Sequence, residues 1–206
     1  MPELPEVETT VRGLAPVLEG RRIRRVLMRR PDLRRPMPQD LGQRLTGATV
    51  SALGRRAKYG LIDTDRGDTM IFHLGMSGRW RIDPTEELAH DHLILETDEG
   101  RTLAPNDPRR FGSVDLVPTA EVGDWPASRA LGPERLGPDF TAEHLRRAPA
   151  GRVASIKLLL LDQRIVAGLG NIYVCEALYE SRIAPMNGGG TLAKPKLERL
   201  VAEVRA

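Results

Sequence analysis

The sequence predicts an α+β protein in two parts, an N-terminal antiparallel β-sandwich flanked by helices and a C-terminal helical domain. Three observations predict it. Residues 22–116 read as short β-like runs separated by turn signals. Residues 118–139 hold Pro118, Pro126, Pro133 and Pro138 with Gly123, Gly132 and Gly137, which break both periodicities. Beyond 140 the apolar spacing becomes helical. The expected division is a β-sandwich over 1–117, a linker over 118–139 and a helical domain over 140–206.

In chain order, Pro5-Glu6-Val7-Glu8 opens a helix whose apolar face is Val7, Val11, Leu14 and Leu18, with Gly20 as its stop. Pro5 suits a first helical turn, whereas Pro16 is expected to kink or end the helix early. Strands are expected at 23–27, 48–53, 59–64, 68–74, 78–82, 92–97, 102–104 and 112–116. Asp65-Arg66-Gly67-Asp68 and Asp98-Glu99-Gly100 mark hairpin turns. Helices are expected at 141–147, 153–161, 171–181 and 196–205, with Asn187-Gly188-Gly189-Gly190 as a loop. The chain stops at Ala206 inside an amphipathic pattern with no Gly or Asn cap, which reads as a truncated helix.

With 206 residues, 40% hydrophobic and 29% charged, the composition is that of a folded globular chain and excludes intrinsic disorder. No apolar run approaches the ~18 residues of a membrane span. Glu3, Glu6 and Glu8 exclude the basic-then-apolar pattern of a signal peptide, so a cytoplasmic protein is expected. Cys175 is the single cysteine, so no internal disulfide, no structural zinc and no other metal or cofactor is expected within these residues. The net charge is only +3, but 27 of the 31 basic residues are arginine, the side chain whose planar fork fits phosphates and base edges. Arg21, Arg22, Arg24, Arg25, Arg29, Arg30, Arg34 and Arg35 fall within 15 residues, opposed only by Asp32. A polyanion partner accounts for this run, as does a solvated face in an arginine-rich chain.

Six segments could carry chemistry. Removal of Met1 would leave Pro2 with a secondary amine, able to form an iminium at an aldehyde-like carbon and titrating near ~8. Glu3 and Glu6 stand beside it to shuttle protons; the plainer reading is an acidic helix start. Lys58, in Arg55-Arg56-Ala57-Lys58-Tyr59, is the only lysine of the first 156 residues, fit to donate a proton or grip a phosphate, or simply a surface lysine. Two turn segments, His73-Leu74-Gly75-Met76-Ser77-Gly78 and Asn106-Asp107-Pro108-Arg109-Arg110-Phe111-Gly112, hold large side chains where exposure is expected. Met76, Arg109 and Phe111 have the chemistry to enter a DNA stack and fill the hole left by an extruded base; Met76 and Phe111 could equally be core. His90-Asp91-His92 resembles half a metal site, but without further ligands a phosphate contact or core histidine is the better reading. Finally, Gly168 and Gly170 before a helix opening at Asn171 make a turn suited to a phosphate, with Lys157 and Arg152 on the preceding segment.

Together these residues resemble the bacterial formamidopyrimidine-DNA glycosylase family. The resemblance rests on Met1–Thr9, Arg55–Tyr59, His73–Gly78, His90–His92, Asn106–Gly112 and Gly168–Tyr173, in the family's order and approximate spacing. It spans the whole chain and implies a β-sandwich followed by a helix–two-turns–helix domain. It also implies base-excision repair, with oxidised purines such as 8-oxoguanine and formamidopyrimidines removed from duplex DNA and the strand cut by β- and δ-elimination. Carried over by position, Pro2 would be the Schiff-base nucleophile, Glu3 the acid and base, Glu6 a supporting carboxylate and Lys58 the proton donor of β-elimination. Met76, Arg109 and Phe111 would fill the void, and His73, His90, Arg109, Arg152, Lys157 and Asn171 would contact DNA. At 152 the family commonly has lysine. The family also continues beyond this chain with a four-cysteine zinc finger, so one zinc ion is expected only there. The implied partner is damaged double-stranded DNA, bound by a monomer. Two alternatives stand beside this: an endonuclease VIII-type enzyme acting on oxidised pyrimidines, disfavoured by Leu4 and by the Met76, Arg109, Phe111 trio, and a silent DNA-binding remnant.

Overall fold

The computed structural model describes residues 2–148 and 154–206. It divides into two compact units, Met1–Trp125 and Pro126–Ala206. The first contains α1 (Leu4–Leu18), β1 (Ile23–Met28), α2 (Leu41–Leu45), β2 (Val50–Arg56), β3 (Tyr59–Thr64), β4 (Asp68–His73), β5 (Arg79–Ile82), β6 (Leu93–Thr97), β7 (Thr102–Asn106) and β8 (Ser113–Pro118). Its strands form two four-stranded antiparallel sheets, ordered β1-β6-β7-β5 and β2-β3-β4-β8.

Period-2 burial explains β3, where Gly60, Ile62 and Thr64 point inward between half-buried Tyr59, Leu61 and Asp63. β4 is central in its sheet, and its Thr69, Met70, Ile71 and Phe72 are all buried. The expected turns are present, with Gly67 and Gly100 left-handed between β3 and β4 and between β6 and β7. Leu14, Leu18, Ile23, Ile62, Met70, Phe72, Leu93, Leu95 and Leu103 form one core. Each such side chain contributes on the order of 1.5–3 kcal/mol by leaving water.

Two expectations need correction here. Pro16 does not end α1, which runs unbroken through Leu18. Proline removes only the bond to the Arg12 carbonyl, one turn from the helix end; Arg12 and Pro16 are both exposed, so water can take that carbonyl. Helix α2 was not expected, although Leu41 and Leu45 bury at the i,i+4 spacing that would announce it.

The second unit holds α3 (Pro126–Arg129), α4 (Ala142–Arg147), α5 (Ile156–Leu161), α6 (Asn171–Glu180) and α7 (Lys194–Arg205). The hydroxyl of Thr141 accepts from the His144 N–H at 3.1 Å and that of Ser155 from the Leu158 N–H at 3.4 Å, closing the N-termini of α4 and α5. Phe140, Ile156, Leu160, Val166, Leu178, Leu197 and Leu200 form its core.

The stretch 118–139 is not a free linker. Its first part is a 3-10 turn at Thr119–Glu121 in the first unit, and its second part belongs to the helical unit. There Gly132 N–H donates to the Gln163 carbonyl at 2.8 Å, and Arg135 reaches the Val204 carbonyl at 3.3 Å. Arg205 closes the same region by donating to the carbonyls of Gly137 and Phe140 at 2.8 and 2.9 Å. Residues 187–190 also carry order, since a 3-10 turn covers Gly189–Thr191.

Candidate active site

Pro2 is half-buried and immediately precedes α1, whose N-cap is Glu3. Glu6 Oε2 accepts from the Glu3 N–H at 2.8 Å within a capping box, so the exposed Glu6 carboxylate fixes the peptide that carries Pro2. Glu3 itself is only 2% exposed.

Lys58 reaches this helix start from the two-residue turn between β2 and β3. Ala57 there adopts a left-handed backbone, φ 51°, which turns the chain sharply enough to send the Lys58 side chain inward. The turn is braced by Arg55, which donates to the Ala57 carbonyl at 2.8 Å and to Glu8 Oε2 on α1 at 3.0 Å. Arg12 and Arg55 hydrogen bonds hold the Glu8 carboxyl below its usual pKa. Lys58 is buried, and this burial pushes its pKa below the ordinary lysine value, against the opposing pull of Glu3 and Glu6. The result is a buried glutamate and lysine beside half-buried Pro2, with an ammonium whose proton is more easily given up than that of a surface lysine.

Met76, Arg109 and Phe111 are exposed on two neighbouring loops, with Met76 at 44% and Phe111 at 41% of full accessibility. The Arg109 guanidinium stacks 4.7 Å from the centre of the Phe111 ring. The loops touch so closely that only glycine serves at 75: its φ is +63°, and a Cβ would lie 2.3 Å from the Phe111 carbonyl carbon. Asp107, which sequence reasoning did not single out, is buried between them. Its Oδ1 accepts from Ser77 Oγ and its Oδ2 from the Gly112 N–H, both at 2.8 Å.

His90 is exposed, at the end of a loop held by buried Asp91. Asp91 accepts from Arg81 at 2.7 Å, from the Leu88 N–H at 2.8 Å and from the Asn106 amide at 2.9 Å. His92 is buried against the Asp107 carbonyl at 3.0 Å. His73 is less available than the resemblance implies. Its Nδ1 accepts from the Gly75 N–H at 3.0 Å, and its ring lies 5.0 Å from that of Tyr59. Burial first, then the Lys58, Arg34 and Arg35 cations, push its pKa down to about 4, keeping the ring neutral and able to accept. His73 therefore braces the Met76 loop from beneath.

In the helical unit, Gln163 shapes the glycine turn. Its amide donates to the Leu161 and Leu169 carbonyls at 3.2 and 2.8 Å, and its carbonyl accepts from the Gly168 N–H at 2.9 Å. Asn171 opens α6 and is exposed. Lys157 donates to Cys175 Sγ at 3.3 Å, one turn along α6 from Asn171, so the two expected DNA contacts flank one thiol. Arg152 lies outside the described residues. Zinc finds no donor set among the described residues: Cys175 is the sole cysteine, and no group of three His, Cys, Asp or Glu could hold a metal.

Buried Glu3 and desolvated Lys58 beside Pro2, large side chains exposed on adjoining loops and a helical unit with a glycine-punctuated turn fit the class of base-excision DNA glycosylases. The chain belongs to the formamidopyrimidine-DNA glycosylase family: the family's N-terminal domain matches residues 1–114 and its H2TH domain residues 131–206. A formamidopyrimidine-DNA glycosylase of Rhizorhabdus wittichii is 70% identical over 205 residues, covering 100% of this chain and 76% of that protein. The Lactococcus lactis formamidopyrimidine-DNA glycosylase, non-covalently bound to DNA containing an AP site, superposes with a TM-score of 0.91 at 31% identity, covering 99% of this chain and 79% of that one. The same Lactococcus enzyme in complex with DNA containing an oxidized pyrimidine gives a TM-score of 0.90 at 32% identity, covering 99% and 77%.

Proposed function

We propose that this chain is a base-excision repair enzyme, a formamidopyrimidine-DNA glycosylase with AP-lyase activity that removes oxidised purines from duplex DNA through the Pro2 amine. The observation that carries this reading is the cluster at the chain start, Pro2 with buried Glu3 and desolvated Lys58. With Met1 removed, the Pro2 amine bonds to the deoxyribose carbon bearing the damaged base and gives up its proton, the base departs carrying a proton, and the bond from that carbon to the ring oxygen opens as the oxygen is protonated, leaving the sugar held as an iminium. Glu3 moves protons at the opening sugar. Lys58 serves β-elimination, in which a proton leaves the carbon next to the iminium and the 3′ phosphate departs. Glu6 acts through the Glu3 N–H as a positioning group.

The partner is damaged double-stranded DNA. Extruding a nucleotide costs a few kcal/mol, offset by phosphate contacts from cations such as Lys157 and by Met76, Arg109 and Phe111 occupying the gap. His90 and Asn171 are exposed, as phosphate contacts must be. The δ-elimination that the family resemblance attaches to the finger has no assigned group in this chain. A monomer suffices for this chemistry. No helix among the described residues is long and apolar enough to cross a membrane.

Borohydride trapping tests the proposal. A duplex with 8-oxoguanine opposite cytosine is incubated with the chain and with Pro2→Gln, which keeps Met1 in place and leaves no secondary amine at the chain start. A covalent adduct with the unsubstituted chain alone is expected; no adduct, or an equal one with the variant, overturns it. An oxidised-pyrimidine duplex run in parallel compares the lesion classes, because the Lactococcus enzyme has been crystallised with such DNA.

A further inference from the structure

We propose that Asp107 is the positioning residue that sets the two wedge loops as a single unit, so that Met76 from one loop and Arg109 and Phe111 from the other enter the duplex together. This rests on the glycosylase reading above, and it assigns a task to a buried carboxylate that the chemistry at Pro2 does not use.

Asp107 is 4% exposed, and its two carboxylate oxygens go to different loops of the wedge. Oδ1 accepts from Ser77, next to Met76, and Oδ2 from the Gly112 N–H, next to Phe111, both at 2.8 Å. Its own N–H donates to the His90 carbonyl at 3.0 Å, and its carbonyl accepts from the Arg110 N–H at 3.2 Å and from His92 Nε2 at 3.0 Å. Arg110 is held left-handed, φ 55°, so the segment between Asp107 and Phe111 is sharply folded rather than free to swing.

A buried carboxylate is costly unless its lone pairs are satisfied; here they are satisfied by the two loops whose spacing matters. The surroundings leave little slack, since a Cβ at Gly112 would lie 2.6 Å from the His73 carbonyl and 3.0 Å from Asp107 Oδ2. If the loops were set independently, each wedge residue would enter the stack with its own ordering cost. Joined at Asp107, they arrive with that cost already met in the free protein.

The test compares Asp107→Ala and Ser77→Ala with the unsubstituted chain on two DNAs. One is a fully paired duplex with 8-oxoguanine opposite cytosine; the other carries an abasic site in an unpaired bubble, where no stack has to be opened. The expected result for Asp107→Ala is an excision rate lower by about 10- to 100-fold on the paired duplex, with trapping on the bubble lowered by less than about threefold. Ser77→Ala, which removes one arm and leaves the Gly112 N–H on the other carboxylate oxygen, should shift both rates in the same proportion but less. Asp107→Asn should restore most of the loss, because its amide oxygen can still accept from Gly112 and its NH2 can donate to Ser77.

Equal losses on both DNAs, or no loss on the paired duplex, overturn the proposal. If Asp107→Ala does not fold, Ser77→Ala and Asp107→Asn decide it by the same comparison. Failure of the unsubstituted chain to trap on either DNA would instead refute the glycosylase reading itself.

Discussion

Arg55 donates to Glu8 Oε2 at 3.0 Å, tying the turn that carries Lys58 to the helix that begins beside Pro2. The two residues lie 47 positions apart, and Arg55 also holds the Ala57 carbonyl, so one guanidinium sets both the shape of the turn and its place. Arg55→Leu keeps much of the apolar stem and removes the fork. Strand cleavage should fall about 10- to 100-fold while binding to an abasic-site duplex changes little, as gel shift and single-turnover cleavage would show. Equal weakening of both would refute a role in placing Lys58.

Burial lowers the Lys58 pKa, so its ammonium loses its proton at a lower pH than an ordinary lysine near 10.5. If that ammonium donates the proton, the alkaline limb of the cleavage rate should lie below pH 10.5. Lys58→Arg, which does not titrate in this range, should move the limb upward and lower the plateau by about 10²- to 10⁴-fold. A limb unmoved by the substitution would assign it to another group.

His73 titrates near 4 in the folded protein, against 6.5 unperturbed. The folded pKa is the lower one, so the unfolded chain binds the extra proton. The stability tied to the neutral ring is therefore fully present above about pH 6.5 and lost as pH falls from there towards 4. On the order of 2–3 kcal/mol is at stake. Thermal unfolding from pH 7 to 4 should show a drop that His73→Gln flattens; an unchanged slope would mean the ring is not buried in solution.

Gly60 on β3 faces the Phe72 ring so closely that an added Cβ would sit 2.1 Å from Cζ. Gly60→Ala should cost about 1–3 kcal/mol and lower Tm by several degrees, and Phe72→Leu in the same chain should recover part of it. Additive losses in the double variant would show that the two do not compete for the same space.

The regular elements were legible because their periodicities are local. Val7, Val11, Leu14 and Leu18 announce α1, and the buried Gly60, Ile62 and Thr64 reflect the alternation that announces β3. The segment 126–139 was not legible, since its order comes from partners far along the chain: Gly132 bonds Gln163, and Arg135 bonds Val204. The same distinction runs through the candidate site. Pro2, Met76, Arg109 and Phe111 stand out by position or by being large side chains among turn residues. Asp107 and Cys175 gain their partners Ser77 and Lys157 only when two separated segments meet, and His73 was read as a contact because nothing in the residue pattern shows that the Gly75 N–H would occupy its ring nitrogen.

The contacts within the two units also become possible at different moments of synthesis. The sandwich has its last strand once β8 ends at Pro118, whereas the helical unit needs Arg205 to reach back to Gly137 and Phe140. At a ribosomal pace of about 5–20 residues per second, those two points are separated by about 4–18 s. During every round of translation, the sandwich with Pro2, Lys58 and the loops of Met76 and Phe111 can thus stand folded for seconds before Arg205 can reach Gly137 and Phe140.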